Sequence, residues 1–386
     1  MTPRIFFKKT ALLLTLLIAG PLLFSGAAFA ADTYKIGGIF SITGPASFLG
    51  DPEKKSMEMA IDQINAAGGI DGRMLEAVIY DTEGDPQRAV QNVTKLISKD
   101  NVIAIVGPSL TPTSLAVIPF VERAELPLIS CAAGIAITEP VKKWVFKTAQ
   151  SDVLAVAAVY QHMKDNNIKK VGILTVANAF GESGKDQLLK QAPTFGLNIV
   201  QEDSFGDKDT DMTAQLTKIR KQEPDAIVCW GTNPGPAVVA KNVKQLEINI
   251  PLYQSHGVAS PKFIELAGDA ANGNFLPTGK ILVAGLLKDT DAQKSVLMDY
   301  IKEYESRYNL AVSGFGGYAY DAMMMLKQAL PGTNGDKEKI RDNLENIQGL
   351  VGISGTFNFS PTDHNGLSED AFVMVRIENG DWKLLE

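Results

Sequence analysis

The sequence predicts an α/β fold of two doubly wound, Rossmann-like lobes, and three observations carry that prediction. Strand-like and helix-like patterns alternate from Tyr34 onward. The alternation runs through one series as far as residue 130 and restarts at residue 152. The loops after the strands are rich in Gly, Ser, Thr and Ala. Two such series wind two sheets, and 386 residues leave room for two domains.

The elements follow in order. Residues 34–40 are β-rich and alternate, and 41–52 form a Gly/Pro loop. Residues 53–67 carry helical spacing (Met57, Ala60, Ile61, Ile64) and stop at Gly68-Gly69, a C-cap signal. Residues 75–81 read as a strand. Residues 86–99 read as a helix with Asp85 as N-cap. Residues 103–106 are a continuous apolar run, as a buried parallel strand requires. A helix over 113–124 and a strand over 126–130 close the first series. The second series reads as helix 152–166, strand 170–175, helix 181–195, strand 198–204, helix 212–222, strand 226–230, helix 236–246 and strand 251–254. A short helix over 261–266, a strand over 281–284 and helices over 292–308, 315–330 and 337–346 follow. Residues 355–359 and 371–378 read as a β pair, with Asn379-Gly380 as a turn.

The first thirty residues stand apart. Arg4, Lys8 and Lys9 precede an apolar run over 11–26, broken by Gly20-Pro21, and Ala28-Phe29-Ala30 suits a signal peptidase. The run is shorter than the roughly 20 residues of a spanning helix. Residues 1–30 are therefore expected to be a cleaved signal peptide, and the mature chain to be periplasmic. The formal charge of −7, without a long basic run, argues against nucleic acid as a partner. The two cysteines allow either a disulfide between Cys131 and Cys229 or two buried thiols.

Catalytic and cofactor motifs are missing. There is no G-x-G-x-x-G after the first strand, no G-x-x-x-x-G-K-[ST], no G-x-S-x-G and no zinc-ligand spacing. No enzyme activity, cofactor or metal is expected. In a doubly wound lobe, ligands sit beyond the C-terminal ends of the strands. That places function in the loops 41–51, 107–113, 131–138, 176–181, 231–236 and 255–260.

Two long segments, YKIGGIFSITGPASFLGDPEKKSMEMAIDQINAAGGIDGRMLEAVIYD and NVIAIVGPSLTPTSLAVIPFVERAELPLISCAAG, resemble the leucine/isoleucine/valine-binding protein family. ANAFGESGKD, GYAYDA and SPTDHNGL resemble further pieces of it in the same order. The resemblance implies a type I periplasmic binding fold with two lobes joined by three crossing strands, near 148–151, 281–285 and 355–359. It implies lobe I over 31–150 plus 285–356, and lobe II over 151–284 plus 357–386. It also implies an ABC transporter permease of the branched-chain amino acid class as partner, and a monomer. A sensor or regulator ectodomain of the same fold is the remote alternative.

The resemblance also implies a ligand site. A carboxylate would be held by Thr111, with Ser109 nearby, and by Ala132, Ala133 and Gly134, where Gly134 replaces the family's usual hydroxyl residue. For Ser109 and Thr111 helix capping is the alternative role, and for 132–134 a plain small-residue turn. The aromatic near the first loop corresponds to Leu49, with Phe48 beside it. The second-lobe tyrosine corresponds to Phe180 or Ala179, and Thr232, Asn233 and Phe315 complete the pocket. Where amino-acid binders place an acid against the ligand ammonium, this chain has His256. Asp51 and Glu53 are read as capping residues of the first helix. The expected ligand is a small hydrophobic carboxylate, aromatic acids included; the alternative is a branched-chain or other hydrophobic amino acid.

Overall fold

A computed structural model of the chain describes residues 1–3 and 33–385, so the signal-peptide reading lies outside the described residues. The first series reads β1 (Tyr34–Phe40), α1 (Ser47–Ala66), β2 (Leu75–Asp81), α2 (Pro86–Lys95), β3 (Ala104–Val106), α3 (Thr111–Arg123), β4 (Leu128–Ser130) and β5 (Val145–Lys147). The second reads α4 (Asp152–Asp165), β6 (Lys170–Val176), α5 (Ala179–Gln191), β7 (Asn198–Phe205), α6 (Thr213–Arg220), β8 (Ala226–Trp230), α7 (Gly235–Gln245), β9 (Leu252–Gln254), α8 (Pro261–Ala267) and β10 (Phe275–Thr278). The chain ends with α9 (Lys294–Tyr308), α10 (Gly314–Ala329), α11 (Lys337–Glu345), β11 (Leu350–Val351), β12 (Thr356–Phe357), β13 (Val373–Glu378) and β14 (Asp381–Leu384).

The first sheet has the order β2-β1-β3-β4-β5, all parallel. The second has the order β14-β13-β10-β9-β8-β6-β7. Its parallel part, β7-β6-β8-β9-β10, repeats the order of the first sheet, and β13 and β14 add an antiparallel edge. Both sheets therefore reverse order at equivalent places, beside β1 and beside β6. Those switch points open crevices beyond the strand ends. Each sheet is buried on both faces. Ile36, Met57 and Met323 pack on one face of the first sheet, and Ile39, Val93 and Val117 on the other. Leu174, Leu216 and Val239 cover one face of the second, and Ile173, Val159 and Leu188 the other.

Several expectations are corrected. Helix α1 begins at Ser47 and carries Pro52 inside it, so Asp51 and Glu53 are helical residues and not caps. Gly50 permits this early start: a Cβ there would lie 2.2 Å from the Ser41 carbonyl oxygen. Residues 281–284 form a 3₁₀ segment (Lys280–Leu286) instead of a strand. Ile281 and Ala284 pack beside Tyr300, while Val283 enters the second-lobe core. The expected β pair is also different. β11 pairs with β12, and β13 pairs with β14 across Asn379-Gly380, both at positive φ, as a two-residue hairpin turn requires.

The expected lobe boundary at 356/357 falls too early. Phe357 and Phe359 pack in the first-lobe core with Phe146. His364 stacks on Phe146 at 4.2 Å, and its Nδ1 lies 2.8 Å from the Val145 carbonyl. The third crossing therefore follows Asn365 and ends where Phe372 enters the second-lobe core. Asn365 Nδ2 bonds the carbonyls of Lys147 and Ala149, tying the third crossing to the first. Gln150 bonds the Ser354 carbonyl and accepts from the Tyr318 hydroxyl. Cys131 and Cys229 are both buried free thiols, in different cores.

Candidate functional site

The loops at the two switch points face each other across a cavity of about 350 Å³, the size of a small-molecule site. The first lobe contributes Leu49, Ser109, Thr111, Ala132, Ala133 and Phe315. The second contributes Phe180, Thr232, Asn233 and His256. Three expected site residues stand off the lining. Phe48 packs edge-on against Phe315 at 5.6 Å. Ala179 lies between Asn178 and Phe180, both of which do line the cavity. Gly134 sits behind Thr111. Sequence reading passed over Asn178, Phe205, Lys208 and Tyr318 as site residues; the shared loop position of Asn178 with Phe180 was the available signal.

On the first-lobe wall the donors come from the start of α3 and the loop after β4. Leu110, at the N-cap of α3, supplies no side-chain cap, and Pro112 has no N–H, so the Thr111 and Thr113 N–H groups are the first-turn donors at the positive end of the helix dipole. Thr111 Oγ1 accepts the Gly134 N–H at 3.1 Å. That bond occupies a lone pair and leaves the hydroxyl proton free to donate into the cavity. It also commits the Gly134 N–H, which the sequence reading had assigned to the ligand. The same contact accounts for the glycine: a Cβ would lie 2.4 Å from Thr111 Cγ2. Beneath this loop Lys147 Nζ donates to the Ala133 carbonyl at 2.8 Å. Lys147 is fully buried and its pKa falls to about 8, chiefly by desolvation, with Asp152 opposing the fall.

The second-lobe wall is different. Asn178 caps α5 by accepting from the Phe180 and Gly181 N–H groups, so that helix end is closed to a ligand. His256 is 3 % exposed. Phe180, Trp230 and Phe372 surround its ring edge-on at 5.4–5.7 Å. Burial, with a smaller push from Lys147, lowers its pKa to about 3, so the imidazole is neutral at physiological pH. Asp152 Oδ1 lies 3.9 Å from His256 Nε2. With the ring neutral, this is not an ion pair. Asp152 itself is buried, accepts from Ser183 Oγ, and has its pKa raised to about 6, mainly by desolvation. The loop 253–261 carries no Asp or Glu of its own. Asp152 arrives from the start of α4, more than a hundred residues earlier.

Two further acids, Glu83 and Asp207, line the mouth of the cavity. Glu83 pairs with Arg88, and Asp207 Oδ1 accepts from Asn178 Nδ2 at 2.7 Å. The lobes also touch directly, since the Ile135 N–H donates to Ser183 Oγ at 3.1 Å. Of the other histidines, His162 bonds Tyr253 Oη at 2.9 Å, and His364 bonds Val145. Neither lines the cavity.

Two lobes of one topology, closing on a cavity lined by small-residue loops, define a cleft-type solute-binding protein. The chain belongs to the periplasmic binding protein family, whose family model matches residues 33–381, and within it to the leucine/isoleucine/valine-binding proteins. A leucine-, isoleucine-, valine-, threonine- and alanine-binding protein of Pseudomonas aeruginosa is 28% identical over 271 residues, covering 69% of this chain and 71% of that one. The crystal structure of an extracellular ligand-binding receptor from Rhodopseudomonas palustris HaA2 superposes with a TM-score of 0.86 at 28% identity, covering 92% of this chain and 100% of that one. The substrate-binding protein of a branched-chain amino acid transporter from Streptococcus pneumoniae, in complex with isoleucine, gives 0.81 at 26% identity, covering 92% and 99%.

Proposed function

We propose that this protein binds a small hydrophobic carboxylate, aromatic acids included, between its lobes and delivers it to an ABC permease of the branched-chain amino acid class. The observation that carries the reading is the contrast between the two walls. The first-lobe wall offers an uncapped helix end, the free proton of Thr111 and a buried cation beneath Ala133. These suit an anion. The second-lobe wall presents the neutral ring of His256 where an ammonium would need a counter-charge, and Asp152 stands behind that ring, off the cavity lining. Leaving that ammonium desolvated and unpaired costs on the order of several kcal/mol. Leu49, Phe180, Phe205 and Phe315 supply the apolar body of the site.

The second reading, a hydrophobic amino acid, draws on Glu83 and Asp207 at the cavity mouth and on the relatives named for such ligands. Both acids already hold partners in this structure, which favours the carboxylate. A thermal-shift panel separates the two. Leucine, valine and phenylalanine are compared with their 2-keto acids, benzoate and 3-phenylpropanoate. A micromolar ligand at millimolar concentration stabilises by about 4 kcal/mol. Shifts by the acids and none by the amino acids are expected; the reverse pattern would overturn the proposal.

A further inference from the structure

Asn233 and His256 are two buried polar side chains of the cavity to which the carboxylate reading gives no role. They follow β8 and β9 on the second-lobe wall, opposite the carboxylate donors. Asn233 is 5 % exposed and His256 3 %. Both line the cavity. Neither Asn233 Oδ1 nor Nδ2, and neither His256 ring nitrogen, has a hydrogen-bond partner among the described residues. Buried polar atoms are almost always paired. The orphaned atoms lie on two adjoining loops, so one ligand group between them would pair an atom of each side chain.

The chemistry of that group follows from the two side chains. An amide offers a donor and an acceptor, and a neutral imidazole offers one of each. The carboxylate of Asp152, 3.9 Å from Nε2, favours the ring proton on Nε2 and leaves Nδ1 as an acceptor. The packed edges of Phe180, Trp230 and Phe372 hold the ring in place. A keto or ether oxygen only accepts and leaves Nδ1 unpaired. A second carboxylate also only accepts, and would set an anion beside Asp152. A hydroxyl both donates and accepts.

We infer that Asn233 and His256 form a hydroxyl-reading subsite, so that the ligand is a hydroxylated hydrophobic acid with its hydroxyl remote from its carboxylate. The hydroxyl donates to His256 Nδ1 and accepts from Asn233 Nδ2. The inference rests on the carboxylate reading for the other end of the ligand.

Titration calorimetry tests it with the 2-, 3- and 4-hydroxy forms of benzoate and of 3-phenylpropanoate, their unsubstituted parents, and the corresponding methoxy compounds. At least one hydroxylated acid is expected to bind roughly tenfold or more tightly than both its parent and its methoxy analogue. That advantage is expected to disappear in His256→Phe and to shrink in Asn233→Leu. The wild-type comparison stands by itself if either variant fails to fold. Equal affinity for parent and hydroxylated acids, or no binding by any hydroxylated acid, would overturn the subsite. Leucine binding in place of all the acids would overturn the subsite and the carboxylate reading together. If 4-methylphenol binds as well as 4-hydroxybenzoate, the carboxylate reading fails while the hydroxyl subsite stands.

Discussion

Ser109 is hydrogen-bonded to the buried carboxyl of Glu53, and its oxygen also accepts the Ser41 N–H at 2.9 Å. Glu53 is fully buried and its Oε1 has no partner among the described residues. Desolvation pushes its pKa well above the ordinary value, with the Ser109 bond opposing. A protonated Glu53 donates to Ser109 Oγ, which turns the Ser109 hydroxyl proton toward the cavity that Ser109 lines. An ionised Glu53 would instead take that proton.

The two states predict different pH behaviour. An acid whose folded pKa is raised stabilises the fold below its ordinary pKa of about 4.5, and this contribution is lost as pH rises through the folded value. Glu53→Gln keeps a donor for Ser109 and removes the titration. Its stability relative to wild type, measured by denaturant unfolding, is expected to increase from pH 5 to 8. A difference that stays flat over that range would show Glu53 ionised in the native protein.

Much of this site was hidden from the sequence for identifiable reasons. The β/α alternation exposed both sheets, because buried parallel strands such as Ile227–Val228 and strong caps such as Asp85 leave local patterns. Glu53 was misplaced because Pro52 imitates a helix start, whereas α1 runs through it. Asp152 was missed because its approach to His256 depends on how α4 follows the first crossing, and no local pattern records that. The last crossing was placed early because Thr356–Phe357 is strand-like in sequence but pairs within the first lobe.

Thr111 is expected to act on the ligand directly. Its oxygen accepts from Gly134, its proton is not used by that bond, and the residue lines the cavity. Thr111→Ala removes one bond to a charged partner, worth about 1.5–3 kcal/mol, or roughly 10- to 150-fold in affinity. Thr111→Ser keeps the hydroxyl and is expected to lose far less. Equal calorimetric affinities for wild type and Thr111→Ala would remove Thr111 from the carboxylate site.

Gly134 is expected to resist the hydroxyl residue usual in its family. Gly134→Ser places a Cβ 2.4 Å from Thr111 Cγ2 unless one of them moves. Overpacking of this kind costs about 1–3 kcal/mol, and here it displaces a ligand donor. Affinity for the bound acid is expected to fall about tenfold or more. Tighter binding by Gly134→Ser would mean that Thr111 is not held as described.

Closure is expected to depend on Ser183, which joins the Ile135 N–H of the first lobe to Asp152 of the second. Small-angle scattering of the wild type should give a smaller radius of gyration with saturating ligand than without. Ser183→Ala loses one cross-lobe bond, about 0.5–1.5 kcal/mol, and is expected to weaken ligand binding roughly 2- to 12-fold. An unchanged radius on saturation would contradict a hinge that closes on the ligand.

His256 and Asp152 are expected to pull stability in opposite directions as pH falls. The His256 pKa drops from about 6.5 to about 3 on folding. Above pH 6.5 the ring is neutral in both states and costs nothing. Below that, the unfolded chain takes up a proton that the native site refuses, so stability is lost progressively down to about pH 3. Asp152 rises from 3.8 to about 6. Its contribution is therefore fully present below 3.8 and lost as pH rises through 6, so acidification from pH 7 to 4 gains stability from this group. His256→Phe removes the first effect and leaves the second. Its stability relative to wild type is expected to rise steadily as pH falls from 7 to 4, by on the order of a few kcal/mol. Asp152→Asn should show the reverse, falling behind wild type as pH drops from 6 to 4. Denaturant unfolding of the three proteins across that range decides the matter. Parallel curves for His256→Phe and wild type would mean that the native imidazole takes up its proton normally, and would remove the neutral ring from the site.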